Sequence, residues 1–194
     1  AYNWELTMRI ISGKFKGKPV LFVKKDTTRP LKDSVKESIF NIIAHSNLIN
    51  VNLEKSTILD LYSGTGSFGL EGLSRGSKKI TFVEKDVTLV ETLNKNLVAL
   101  SAKEKATIFL GEVSNFLKKK QIEKFDILFL DPPFISENLI KDLKLIRQRK
   151  IFKKNHILII HRERKSNDNI NEIINTIIVK TYGRSRIVFA KFLD

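Results

Sequence analysis

The chain of 194 residues predicts an α/β fold: a doubly wound, Rossmann-like sheet of seven strands ending in an antiparallel C-terminal hairpin, preceded by a small β-hairpin and helix. Three observations predict it. Short apolar runs alternate with segments of helical periodicity from Thr57 to His161, as parallel sheets with crossover helices require. A glycine turn, Ser63-Gly64-Thr65-Gly66-Ser67-Phe68-Gly69, follows the first of these runs. The last two apolar runs, 176–182 and 186–192, are separated only by Gly183-Arg184-Ser185, short enough for a hairpin.

Taken in order, Arg9–Ser12 and Lys18–Val23 read as two short strands around Gly13-Lys14-Phe15-Lys16-Gly17, a turn with glycine at each end. Met8 opens the strand pattern, so residues 1–7 are expected to be a tag or a frayed leader. Val35, Ile39, Ile42 and Ile43 have helical spacing, and Ser34 with Glu37 has the spacing of a capping box. Polar residues 46–56 then lead into the main unit, giving expected domains of 1–50 and 51–194.

Strands follow at Ile58–Leu61, Lys79–Glu84, Ala106–Leu110, Phe125–Asp131 and His156–His161. The fourth is almost continuously apolar, as a strand buried on both faces should be. Helices are expected at 70–76, at 86–100 from Val87, Leu89, Val90, Leu93 and Leu97, at Val113–Lys120, at Glu137–Arg149, and near Asp168–Asn175.

Composition narrows the class. Lys and Arg outnumber Asp and Glu by 35 to 21, a formal charge of +14, and such a field favours a polyanion. The excess is concentrated: residues 1–36 carry nine basic side chains against Glu5, Asp26 and Asp33. A basic hairpin with Phe15 between two lysines could grip a phosphate backbone and stack on a base, or could be a small sheet with solvated lysines. The chain has no cysteine, which excludes disulfides and thiolate metal sites and fits a reducing, cytoplasmic setting. His45, His156 and His161 lack metal-ligand spacing and read as surface or strand-end residues. No apolar stretch of about eighteen residues is present, so no membrane span is expected.

The glycine turn with Glu84 twenty residues past Gly64 spells a nucleotide-binding βαβ unit. Two cofactors suit it: a dinucleotide with its pyrophosphate on the helix N-terminus, or S-adenosylmethionine, which has a ribose but no phosphate. Asp60 leans to the second, since a carboxylate there would repel pyrophosphate and could hold a cationic amino group. Asp131-Pro132-Pro133-Phe134, at the end of the fourth strand, is the more selective signal. The two prolines remove two N–H donors, leaving the Asp131 carboxylate and the Asp131 and Pro132 carbonyls as acceptors. That suits an exocyclic amine, with Phe134 as a stacking face for a planar base. The same residues could also form a rigid strand-to-loop turn.

With these motifs in hand, the chain resembles the bacterial 16S ribosomal RNA guanine-N2 methyltransferases over about Met8–Phe192. The resemblance is carried by Met8–Gly13 with Gly17, Thr28-Arg29-Pro30, Asp33 with Val35-Lys36-Glu37, Asp60–Gly66, Gly69–Glu71, Leu73–Gly76, Glu84, Asp131–Phe134 and Tyr182-Gly183. It implies a class I methyltransferase fold that uses S-adenosylmethionine on 16S rRNA in the assembled or assembling small subunit, working as a monomer. It implies that Asp60, Ser63, Gly64 and Gly66 hold the methionine part, Glu84 and Lys85 the ribose, and Glu112 and Val113 the adenine. Asp131, Pro132 and Phe134 would position the guanine, and Arg9, Lys14, Lys16, Arg29 and Lys36 would contact RNA. No metal is implied. The alternatives are a DNA adenine-N6 methyltransferase, which would share Asp131–Phe134, and a dinucleotide-dependent oxidoreductase, which would leave Asp131–Phe134 without a role.

Overall fold

A computed structural model of the protein describes residues 3–24, 31–133 and 137–194. Two antiparallel strands, β1 (Asn3–Arg9) and β2 (Pro19–Lys24), precede helix α1 (Asp33–His45). The main unit follows as β3 (Thr57–Leu61), α2 (Ser67–Ser74), β4 (Lys79–Glu84), α3 (Val87–Ala99), β5 (Ala106–Leu110), α4 (Val113–Leu117), β6 (Phe125–Leu130), α5 (Asn138–Arg149), β7 (Phe152–Glu163), β8 (Ile174–Tyr182) and β9 (Ser185–Phe192). Seven strands form one sheet in the order β5-β4-β3-β6-β7-β9-β8, parallel from β5 to β7, with β9 antiparallel to both β7 and β8.

Period-two alternation sorts the strand residues into two cores. Ile58, Ile80, Phe82, Ile127, Phe129, Ile159 and Phe189 face α1, α2 and α3. Leu59, Leu61, Val83, Leu128, Leu130, Ile160 and Val188 face α4 and α5. On the first face Phe68 of α2 stacks on Phe129 at 4.0 Å and on Phe40 of α1 at 4.9 Å between ring centroids. One continuous apolar layer therefore includes the N-terminal hairpin, through Ile10, Phe15 and Val20.

The hairpin is held by polar groups as well as by burial. Glu71 of α2 is fully buried and accepts from Ile11 N–H (2.8 Å), Ser12 N–H (3.1 Å) and Arg75 Nε (2.9 Å), with Lys36 Nζ 3.6 Å away. Ser74 Oγ donates to Ser12 O and accepts from Phe15 N–H, while Ser74 O accepts from Lys14 N–H at 2.7 Å. Gly13 is required here: its φ is +86°, and a Cβ would lie 2.0 Å from Ser74 O. From α3, Asn96 accepts from Leu21 N–H and donates to the carbonyls of Leu21 and Thr65, occupying the outer edge of β2.

Four local expectations change. Asn3–Thr7 belong to β1, where Leu6 pairs with Phe22 and Thr7 with Leu21. The strand ends at Arg9 because the backbone N–H groups of Ile11 and Ser12 turn to Glu71. Helix α1 begins at Asp33 after Lys32, with no side-chain cap, so the Ser34–Glu37 spacing is not used as a capping box. The helix expected near Asp168–Asn175 is a single turn in which Ile170 O accepts from Ile173 and Ile174 N–H. Ile174 already opens β8, whose β-branched run favours the ladder with β9.

Removing Glu71 leaves Lys36 buried without its carboxylate and two backbone donors unpaired. Glu71→Ala is expected to cost about 3–5 kcal/mol, measured by urea unfolding; a loss below about 1 kcal/mol would mean the clamp contributes no more than a surface ion pair.

Candidate active site

Parallel pairing of β3 with β6 (Leu61 opposite Leu130) places the glycine turn and Asp131 side by side, and Asp131 N–H reaches Leu61 O at 3.4 Å. This is the switch point of the sheet, where crossovers leave for opposite faces and a crevice opens at the strand C-termini.

The turn is shaped by backbone conformation. Tyr62 adopts φ +62°, uncommon for a residue with a bulky side chain, and its hydroxyl donates to the buried Asp142 of α5. Burial raises Asp142 to about 6, opposed by the Tyr62 hydrogen bond and Lys141. Gly64 has φ +58°, and a Cβ built on it would meet nothing within 4 Å. Gly66, at φ +91°, precedes α2, and its Cβ would lie 2.4 Å from Leu93 Cδ1. Both glycines take a positive φ, and they differ in surroundings: Gly64 borders open space, whereas Gly66 lies against the Leu93 side chain of α3.

Carboxylates converge on this space. Asp60 is 1% exposed; its Oδ2 accepts from Gly69 N–H at 3.1 Å, while Oδ1 is buried with no hydrogen-bond partner among the described residues. Burial pushes its carboxyl well above the usual range; the Gly69 hydrogen bond opposes this, and the charges of Asp131 and Glu84 add to it. Ser63 Oγ is also buried without a partner. Glu84 accepts from Gly64 N–H (3.0 Å) and Asp86 N–H (2.9 Å), so it braces the turn against the start of α3. Beyond it, Gly111 N–H bonds Glu84 O, bringing Glu112 and the buried Val113 alongside. Lys85 and Glu112 are exposed and 3.8 Å apart.

Asp131 is partly exposed, and Pro132 behind it is buried. Asp131 Oδ1 lies 2.9 Å from His161 Nδ1, and His161 Nε2 lies 2.9 Å from Ser185 Oγ. Phe134 lies outside the described residues.

A family model described as Conserved hypothetical protein 95 matches residues 8–191. The chain belongs to that family. Ribosomal RNA small subunit methyltransferase D of Haemophilus influenzae is 34% identical over 159 residues, spanning 81% of this chain and 79% of that protein. Its namesake from Buchnera aphidicola subsp. Baizongia pistaciae is 29% identical over 188 residues, 97% of this chain and 92% of that one. The crystal structure of Haemophilus influenzae HI0767 matches with a TM-score of 0.76 at 31% identity, covering 97% and 99% of the two chains.

Against this family background, the N-terminal cations divide. Arg9, Lys14 and Lys16 are exposed, with Arg9 Nη1 donating to Gly17 O. Arg29 lies outside the described residues. Lys36 does not reach the surface: it is 3% exposed, bonded to Ser67 Oγ and paired with Glu71. Burial lowers its pKa, and Glu71 and Asp33 oppose the shift. Lys36 is thus not placed to contact RNA, since its ammonium is committed to an internal carboxylate. Phe15 is likewise buried, with Lys14 and Lys18 ammonium groups 5.6 and 5.3 Å from its ring centroid, and cannot stack on a base.

Three contributors were missed from the sequence: Glu71, Asn96 and His161. The first two lie within helices α2 and α3, whose local pattern does not show that their polar side chains turn to the N-terminal hairpin. His161 reads from sequence as a strand-end residue, and its position at the end of the strand beside Asp131 is the available signal; it is 3% exposed.

Asp60 yields a signed prediction. Its folded pKa lies above the unfolded value of about 3.9, so the folded state binds the extra proton, and stability falls as pH rises from that value through the folded pKa. Asp60→Asn keeps an acceptor for Gly69 and removes the charge. The melting-temperature gain over the parent should be larger near pH ~8 than near pH ~4; an equal or opposite trend would contradict an unpaired buried carboxyl.

Proposed function

We propose that this chain, a methyltransferase by family and acting on ribosomal RNA, transfers the methyl group of S-adenosylmethionine to the exocyclic N2 of a guanine in 16S rRNA of the small ribosomal subunit. One observation carries the reading: an acceptor-only Asp131-Pro132 corner stands at the switch point beside a glycine turn ringed by Asp60, Glu84 and Asp131. Such a ring favours a cationic sulfonium and ammonium, and opposes a pyrophosphate. That weighs against a dinucleotide.

The residues fit the cofactor. Asp60 Oδ1 and Ser63 Oγ are buried polar atoms lacking partners, suited to the methionine ammonium and carboxylate side. Gly64 borders unfilled space, and the Glu84 carboxylate can accept from ribose hydroxyls. Glu112 and Val113 would border the adenine, and the Lys85 ammonium would stand outside the ribose. When bound, S-adenosylmethionine supplies an electrophilic methyl carbon on sulfur and leaves as a neutral thioether.

The chain's own work is positioning. Asp131 and the Pro132 carbonyl accept the two N2 hydrogens and turn the nitrogen lone pair out of conjugation and toward the methyl carbon. As the N–C bond forms, the Asp131 carboxylate offsets the positive charge growing on N2. Asp131 or a water then takes the proton N2 sheds. Phe134 would stack on the guanine. Arg9, Lys14, Lys16 and Arg29 would hold the phosphate backbone, supported by the exposure of the first three.

Transfer of tritiated methyl groups to small subunits lacking the modification, followed by nucleoside mapping, tests the reading; label at N2 of guanine is the expected product. Asp131→Ala should abolish transfer while leaving S-adenosylmethionine binding within about twofold. Undiminished turnover would sink the assignment. Replacing Lys14 and Lys16 together by alanine should raise KM for subunits and reduce the salt slope of RNA binding by about one to two; an unchanged slope would place the RNA elsewhere.

A further inference from the structure

We infer that His161 is a positioning residue for Asp131, fixing the carboxylate so that Oδ1 is held by the imidazole and Oδ2 is presented to the substrate amine, with Ser185 setting the ring. The inference rests on the methyl-transfer reading above and adds to it a residue that the sequence motifs do not contain.

Sheet register brings the three groups together. The last ladder pair of β6 and β7 is Leu130 opposite Ile160, so positions 131 and 161 come next side by side. On the other flank of β7, His161 pairs with Ile187 of β9, and Ser185 lies two residues along the same face. Asp131 Oδ1 to His161 Nδ1 and His161 Nε2 to Ser185 Oγ are both 2.9 Å. The imidazole is buried among Ile159 and Ile187, whereas the Asp131 side chain is 23% exposed. The inner end of the chain of bonds is thus held by packing, and the outer end reaches the cleft.

Chemistry assigns the roles. An ionised carboxylate only accepts hydrogen bonds, so Nδ1 must carry a hydrogen. In the neutral ring Nε2 is then the acceptor, and the Ser185 hydroxyl donates to it. The serine hydroxyl favours one tautomer, and that tautomer aims one hydrogen at Oδ1. Without it, the carboxylate can rotate about its terminal torsion, which has broad minima. A supporting bond of this kind improves the geometry of a reacting group without touching substrate. A buried histidine that merely fills the core would be indifferent to which nitrogen bonds Asp131.

That difference is testable. An asparagine amide can replace the Nδ1 donor; a glutamine amide reaches the Nε2 position and cannot. His161→Ala and His161→Gln are expected to lower kcat by about 10²-fold, with S-adenosylmethionine affinity by calorimetry within about twofold. His161→Asn should recover most of the loss. Equal impairment of the Asn and Gln variants, or a change confined to KM or melting temperature, would overturn the inference. A second measurement needs no turnover. The chain has only three histidines, so nitrogen NMR can identify His161 by its loss in His161→Asn. The Nδ1–H tautomer is expected at high pH, shifting toward a mixture in Asp131→Asn and Ser185→Ala. An Nε2–H ring in the parent would also overturn it. If the parent protein methylates no small subunit, the functional reading fails, while the NMR result still judges the Asp131–His161 geometry.

Discussion

The parallel ladder between β3 and β6 is the constraint on which the site depends. It places Leu61 opposite Leu130, so everything after each strand emerges at one point of the sheet. From β3 comes the turn containing Tyr62, Ser63 and Gly64; from β6 comes Asp131-Pro132. Because the crossovers after β3 and β6 leave to opposite faces, a gap opens between the two turns. A register slip of one residue would send Asp60 to the other face and Leu61 into its place. The apolar stacking of Phe40, Phe68 and Phe129 beneath the turn opposes such a slip.

Electrostatics make the gap selective. The charges of Asp131 and Glu84 act on Asp60, which has a buried oxygen with no hydrogen-bond partner among the described residues. Carboxylates brought close together raise the energy of the empty site, and a bound cation lowers it. The N-terminal hairpin shows the opposite arrangement. There, Glu71 is surrounded by Lys36, Arg75 and two backbone donors, so the charges are internally balanced. One carboxylate is left for a ligand, and the other holds the hairpin to α2.

Much of this was legible in the chain. Glycines flanking a turn after an apolar run, and a carboxylate before two prolines after another, are local patterns whose chemistry does not depend on distant residues. The N-terminal cations were read less well. Composition showed that positive charge is concentrated there, and Arg9, Lys14 and Lys16 are indeed exposed. Lys36 belongs to the same run but is consumed by Glu71, 35 residues further on. Phe15 lies between Lys14 and Lys16 in sequence, yet its ring belongs to the core, with the ammonium groups of Lys14 and Lys18 over it. Near residues 168–175, isoleucine-rich sequence was compatible with either helix or strand; a single turn forms over 170–174, and pairing with β9 makes strand from Ile174 onward.

What the sequence by itself determined is the order of strands and helices, the glycine turn, and the acceptor-rich corner at Asp131, because each follows from spacing within a few residues. Only the tertiary structure decided which of its charges face solvent, that Gly66 answers to Leu93 while Gly64 borders open space, and that His161 stands against Asp131. Those outcomes depend on register between strands about thirty residues apart and on partners in other helices. Burial also removes the water that would otherwise have made such charges interchangeable.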